Sequence, residues 1–144
     1  WWTIPSGRTK NGLTQRVPLV GEVFSILSSI RAGQYDSVFV FPGGRRGKPL
    51  MSLYKPMLRL KKLSGAVDFR YHDLRRTART GWAAIGIDDS VAERLLNHKD
   101  RGVQAIYNRH KYDSEKRAAL TRWDRRVREI VKGEASDKVV QLHA

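Results

Sequence analysis

The chain has no cysteine, which excludes disulfides and thiolate metal sites. Its four histidines include no pair at zinc-finger spacing, so neither a metal nor another cofactor is expected. No apolar run approaches the roughly 20 residues that a membrane span needs, which excludes a membrane partner of that kind. The first residues lack the pattern of a signal peptide, and a cytoplasmic, intracellular protein is expected. Internal repeats and low-complexity tracts are also missing, which excludes a solenoid or a disordered linker. Acidic residues are scarce: 14 Asp and Glu stand against 28 Lys and Arg, a formal charge of +14. Such a surplus points to a polyanion, because each neutralised phosphate releases condensed counterions. Composition alone does not separate DNA from RNA.

What is present suits one folded domain. The 144 residues are 40% hydrophobic, enough for a core. Residues 1–5 and 15–20 read as strands, and Lys10-Asn11-Gly12 between them reads as the tight turn of a hairpin. Residues 22–31 have a helical pattern in Val23, Phe24, Ile26, Leu27 and Ile30, with Gly33 as a stop. Residues 38–41, Val-Phe-Val-Phe, predict a short buried strand ended by Pro42, and Arg45, Arg46 and Lys48 follow in a basic loop.

From Leu50 onward the pattern is almost wholly helical. Leu53, Met57, Leu60 and Leu63 form an apolar stripe, with Pro56 inside it. Asp73 is placed to cap a helix with Leu74, Ala78, Gly81 and Ile85 inward and Gly86 as its stop. Residues 88–90 start a helix carrying Val91, Leu95 and Leu96, and a short helix is expected around residues 103–109. Asp113 starts the last one, with Leu120, Trp123, Val127 and Ile130 inward.

Three short segments carry chemistry. His72 and Arg75 are three positions apart, so at a helix start they face one side and can reach one anion. Alone, that pair is weak evidence, since a capped surface helix with a salt bridge through Asp73 is the commoner source of it. His98 follows Asn97, a residue suited to a left-handed helix end, which leaves an imidazole at the helix C-terminus. Tyr107 lies nine positions further on in an apolar stretch, where a tyrosine by itself is usually core.

Taken together these segments resemble the tyrosine recombinase, or phage-type integrase, family. His72-Asp73-Leu74-Arg75-Arg76-Thr77 matches its His-x-x-Arg box, Leu95-Leu96-Asn97-His98 resembles its Leu-Gly-His box, and Ile106-Tyr107 its nucleophile segment. Ala118-Ala119-Leu120 with Trp123 resembles the helix that follows, and residues 2–19 are similar to its β-hairpin, with Lys10 at the hairpin lysine.

The resemblance implies an α+β, mainly α fold: a helical catalytic domain with a small N-terminal β-hairpin or sheet. It implies site-specific DNA recombination, integration or excision, through a 3′-phosphotyrosyl intermediate. Tyr107 would be the nucleophile, Arg75 and His98 would hold the phosphate, His72 would assist proton transfer, and Lys10 would protonate the leaving 5′ oxygen. Arg76, Arg45, Arg46, Lys48, Arg59, Lys61 and Lys62 are expected at the DNA backbone. The implied partners are double-stranded DNA and further copies of the chain, four on paired sites, with a free fragment monomeric.

Two positions depart from the family pattern: Asn97 replaces the usual Gly, and Gln15 stands where relatives often have His. The family's other catalytic arginine, upstream of the hairpin, has no counterpart here. Residues 1–132 are therefore expected to form part of a catalytic domain from a longer protein, poorly active alone. Residues 133–144 would be a tail, flexible or exchanged with a neighbouring subunit. A non-catalytic DNA-binding module, a type IB topoisomerase and a basic RNA-binding protein remain as alternatives.

Overall fold

A computed structural model describes residues 1–33, 37–98 and 110–133. In chain order these form strands β1 (Trp2–Ile4) and β2 (Gln15–Val17), then helices α1 (Gly21–Ala32), α2 (Tyr54–Ser64), α3 (Tyr71–Ala84), α4 (Asp89–Leu95) and α5 (Asp113–Lys132). The α+β, mainly helical architecture is as expected, with one two-stranded antiparallel sheet near the N-terminus. The short helix expected around residues 103–109 lies outside the described residues. The chain divides into two compact units, one of residues 1–21 with 79–144 and the other of residues 22–78.

In the first unit β1 and β2 pair with Trp2 opposite Val17, Thr3 opposite Arg16 and Ile4 opposite Gln15. The expected turn at Lys10-Asn11-Gly12 is present, where Gly12 N–H donates to Thr9 O at 3.2 Å, within a connection over residues 5–14. Pro5 leads into a 3-10 turn at Ser6–Arg8, and Gly12, at φ 71°, takes the left-handed conformation. Asn11 serves inside this loop through its side chain, whose Oδ1 accepts the Leu13 N–H at 3.0 Å. An Asn can imitate a backbone turn in this way, so Asn-Gly marks a turn without fixing the loop length.

Among the described residues, the core of this unit holds Trp82, Ile87, Val91, Ala92, Leu95, Leu96 and Ala119. Asp88 caps α4 by accepting the Ser90 N–H at 2.8 Å, which puts Val91, Ala92 and Leu95 on its inner face. Helix α4 packs on α5, and α5 packs on β2. Leu120 and Trp123 are half-buried, and the Trp123 ring lies against Gly81 of α3. Val127 and Ile130, expected inward, are exposed. Helix α5 is much longer than α4, and its last turns run past what α4 can cover.

The second unit holds most of α1, all of α2, the first two turns of α3 and the loop before α2. None of its described residues is buried. Residues 38–41 do not form the buried strand expected of them, and Val38 is 89% exposed. A strand needs a partner, and the returning chain offers only the single bridge Pro42 to Pro49. Proline has no N–H to continue a ladder, so pairing stops where Gly43 N–H meets Lys48 O and Leu50 N–H meets Phe41 O, both at 2.8 Å. Helix α2 forms with Pro56 in its first turn, where a missing N–H is tolerated. Its stripe of Leu53, Leu60 and Leu63 stays exposed, and Met57 is half-buried.

Candidate active site

His72 and Arg75 lie on α3 within the second unit, three positions apart and both exposed. Asp73 is not the residue before the helix, as expected, but sits in its first turn. It reaches back so that Oδ2 accepts the Arg70 N–H at 2.9 Å, satisfying one of the donors that a helix start leaves open. That N–H, more than Arg76, His72 or Arg70 as charges, holds the Asp73 carboxyl below its usual range. Arg76 pairs with Asp73 Oδ1 at 3.2 Å. The helix ends at Gly86, where Ile87 N–H returns to Trp82 O at 2.9 Å.

His98 is built by the end of α4 in the first unit. Asn97 takes φ 56°, the left-handed conformation expected for it. Its N–H donates to Arg94 O at 3.1 Å, and the His98 N–H donates to Glu93 O at 2.9 Å, the paired bonds of a Schellman ending. The same fold-back sets the imidazole Nδ1 against the Glu93 carboxylate. Glu93 is also approached by Arg79 Nε at 3.4 Å, and Arg79 Nη2 pairs with Asp89 at 2.8 Å. His98 first, and then Arg79, holds the Glu93 carboxyl below its usual range.

Glu93 and Arg79 were not singled out from the sequence. A residue five positions before His98 does not share its face on a continuous helix. The left-handed turn at Asn97 brings the two together, so an acid at that offset from a capped end was the available signal.

The hairpin loop is fastened to this helix end. Asn11 Nδ2 donates to Asn97 O at 2.6 Å, and Asn97 Nδ2 donates to Asn11 Oδ1 at 3.2 Å. Gln15 Nε2 donates to Leu95 O at 2.8 Å, a carbonyl that the end of α4 leaves without a helical partner. Lys10, exposed in the turn, immediately precedes Asn11. Lys10 and His98 therefore belong to two segments that hydrogen bonds join directly.

Beside this junction is a cavity of about 320 Å³, lined among others by Gln15, Arg94, Asn97, His98, His110 and Lys111. His110 Nε2 meets Glu115 Oε1 at 2.7 Å, and the His110 ring stands edge-on to Tyr112 at 4.7 Å. The Arg94 guanidinium lies 4.4 Å from the centre of the Tyr112 ring. Lys116 is buried, and its ammonium meets Asp113 at 2.9 Å and donates to Arg16 O at 3.1 Å. Arg16, Arg117 and Lys116 approach the Trp1 ring at 4.5, 4.9 and 5.8 Å. This basic, aromatic wall was not anticipated from the sequence, because its members are scattered between residues 1 and 117.

Arg45, Arg46 and Lys48 are exposed on a loop of the second unit, closed by the Gly43 to Lys48 bond. Arg59 and Lys62 are exposed on α2, while Lys61 is half-buried with its ammonium 5.7 Å from the Phe69 ring. Tyr107 lies outside the described residues, so its placement is not part of this geometry. The family model of the phage integrases matches residues 1–114, most of the chain. The chain belongs to the phage integrase family. No curated protein and no solved structure matches it. Membership associates this phage integrase chain with site-specific DNA recombination and with DNA as a partner. No helix among its described residues is long and apolar enough to cross a membrane.

Proposed function

We propose that this chain supplies the chemistry of a tyrosine recombinase, cutting and rejoining double-stranded DNA at specific sites. The observation that carries this reading is the ordered set His72, Arg75, His98 and Tyr107, with Lys10 on the hairpin, inside a phage integrase match.

The Tyr107 hydroxyl attacks the scissile phosphorus, forming a P–O bond to the phenol while the P–O5′ bond breaks. The products are a 3′-phosphotyrosyl link and a free 5′-hydroxyl. A phenol ionises near pH 10, so the attack needs cations that favour its phenolate. Arg75 holds the nonbridging oxygens, where charge grows in the transition state. His98 donates a hydrogen bond to the same phosphate, steadied by the Schellman ending and by Glu93. His72 assists proton transfer from the nucleophile, and Lys10 gives a proton to the leaving 5′ oxygen. Attack by the 5′-hydroxyl of a partner strand reverses the step, with the bond energy kept in the phosphotyrosine. Arg45, Arg46, Lys48, Arg59, Lys61, Lys62 and Arg76 hold the DNA backbone, and four copies act on two paired sites in the cytoplasm.

The test uses protein carrying the upstream segment in which the family's other arginine is expected, on a pool of nicked duplexes. A covalent adduct located on Tyr107 by peptide mass, absent from Tyr107→Phe while DNA binding persists, is the expected result. An adduct that survives in Tyr107→Phe would rule out the assigned nucleophile.

A further inference from the structure

We propose that Asn11 and Asn97 are positioning residues for the proton-donating step: their reciprocal amide clasp holds the Lys10 turn at the helix end that carries His98. The inference rests on the assignment of Lys10 as proton donor given above.

Each amide both donates and accepts. Asn11 Nδ2 reaches Asn97 O at 2.6 Å, and Asn97 Nδ2 reaches Asn11 Oδ1 at 3.2 Å, between residues 86 positions apart. The same Oδ1 accepts the Leu13 N–H, so one side chain shapes the turn and anchors it. Gln15 adds a third bond, to Leu95 O. The Asn97 and Gln15 amides thus both bond between the hairpin and the end of α4. A glycine at 97 could take the left-handed φ equally well but has no amide to offer. The side chain at 97 therefore has a use that its backbone conformation does not explain.

Lysine is a flexible donor on a four-carbon stem, and an unanchored loop tip would sample many places besides the leaving oxygen. When the P–O5′ bond breaks, the electron pair goes to O5′, which takes a proton from the Lys10 ammonium. An alcohol leaving group, with an acidity near that of water at about 15.7, needs this proton in the transition state. A thiol leaving group, with a pKa of about 8.5, does not.

The experiment measures single-turnover cleavage by the intact protein on two duplexes, one with an ordinary scissile phosphate and one with sulfur in place of O5′. Three variants are compared. Asn11→Asp keeps the acceptor for Leu13 but loses the donor to Asn97 O. Asn97→Gly keeps the left-handed turn but loses the other bond. Lys10→Ala removes the acid itself. General acids contribute about 100- to 10,000-fold, so Lys10→Ala is expected to lose at least about 100-fold on the oxygen substrate. Asn11→Asp and Asn97→Gly are expected to lose about 10-fold or more, with all three near wild type on the sulfur substrate.

If Lys10→Ala is rescued by sulfur and neither asparagine variant is, the clasp is overturned while the role of Lys10 stands. Asparagine variants that cleave the oxygen substrate at the wild-type rate overturn it equally. If Lys10→Ala is not rescued, the assignment of Lys10 fails and the positioning role falls with it. The two failures are thus told apart by one variant. Asn97→Gly also guards against a folding defect, since glycine preserves the helix ending.

Discussion

Gly81 lies against the rim of the Trp123 indole: a Cβ added to Gly81 would stand 2.3 Å from both Cζ3 and Cη2. Hydrogen is the only substituent that lets α3 and α5 come this close in the first unit. Gly81→Ala is therefore expected to destabilise the fold by about 1–3 kcal/mol, even though alanine favours helix, because a rigid ring cannot yield as a flexible chain would. Urea unfolding followed by circular dichroism measures it, and a stabilised Gly81→Ala would show that the contact is loose.

Lys116 provides a second test of the same unit. Its ammonium is buried between Asp113 and the Arg16 carbonyl, and the lysine in turn holds the Asp113 carboxyl below its usual range. Lys116→Ala is expected to lose about 1–3 kcal/mol, below the cost of breaking a fully buried pair, because Asp113 keeps Arg16 at 2.5 Å. Lys116→Met should lose less, since it preserves the packing of the stem. Equal losses in chemical denaturation would mean that the charge, not the stem, carries the effect.

Acid should unfold the protein in a defined window. The carboxyls of Asp73, Asp88, Glu93, Asp113 and Glu115 all lie below their ordinary values. Glu115 is held from 4.5 down to about 2, chiefly by its own backbone N–H, then by Ser114 and His110. Groups more acidic when folded add stability that is complete above their unfolded values and fades as pH falls toward the folded ones. Thermal melts should be insensitive to these groups above about pH 5 and decline below it. In Glu115→Gln the decline between 4.5 and about 2 should be shallower. An unchanged slope in that variant would assign the acid sensitivity to the other carboxyls.

DNA affinity is expected to depend steeply on salt, and the loop carrying Arg45, Arg46 and Lys48 should contribute part of the slope. Each phosphate contact adds about 0.9 to the slope of log K against log salt, so replacing all three by alanine should reduce it by up to about 3. Fluorescence anisotropy with labelled duplex across a salt series reads this directly. A wild-type slope in the triple variant would place the DNA elsewhere.

The parts of this structure legible in the sequence are those with local causes. Gly86 and Asn97 end their helices because a positive φ is required there, and Asp88 starts α4 with its own carboxylate. The burial of Val91, Leu95 and Leu96 followed from the helical period once those ends were known. Residues 38–41 have the residue types of a buried strand, yet pairing depends on what the chain brings alongside, and prolines close off the one segment that arrives. Val127 and Ile130 continue the period of α5 into solvent because period says nothing about where a neighbouring helix stops. What the sequence did not display is the support around His98: Glu93, Arg79 and the Asn11 amide became visible only when the left-handed turn folded back.

That turn has a consequence for heat. Because the His98 N–H closes the last turn of α4, the backbone that carries the imidazole is tied to a turn whose Leu95 and Leu96 are buried, and Ala92 one turn earlier is 0% exposed. A bulkier residue at Ala92 is expected to loosen the helix end that carries His98 as the molecule warms. Temperature-sensitive alleles should therefore be sought there, at a methyl group that solvent does not reach.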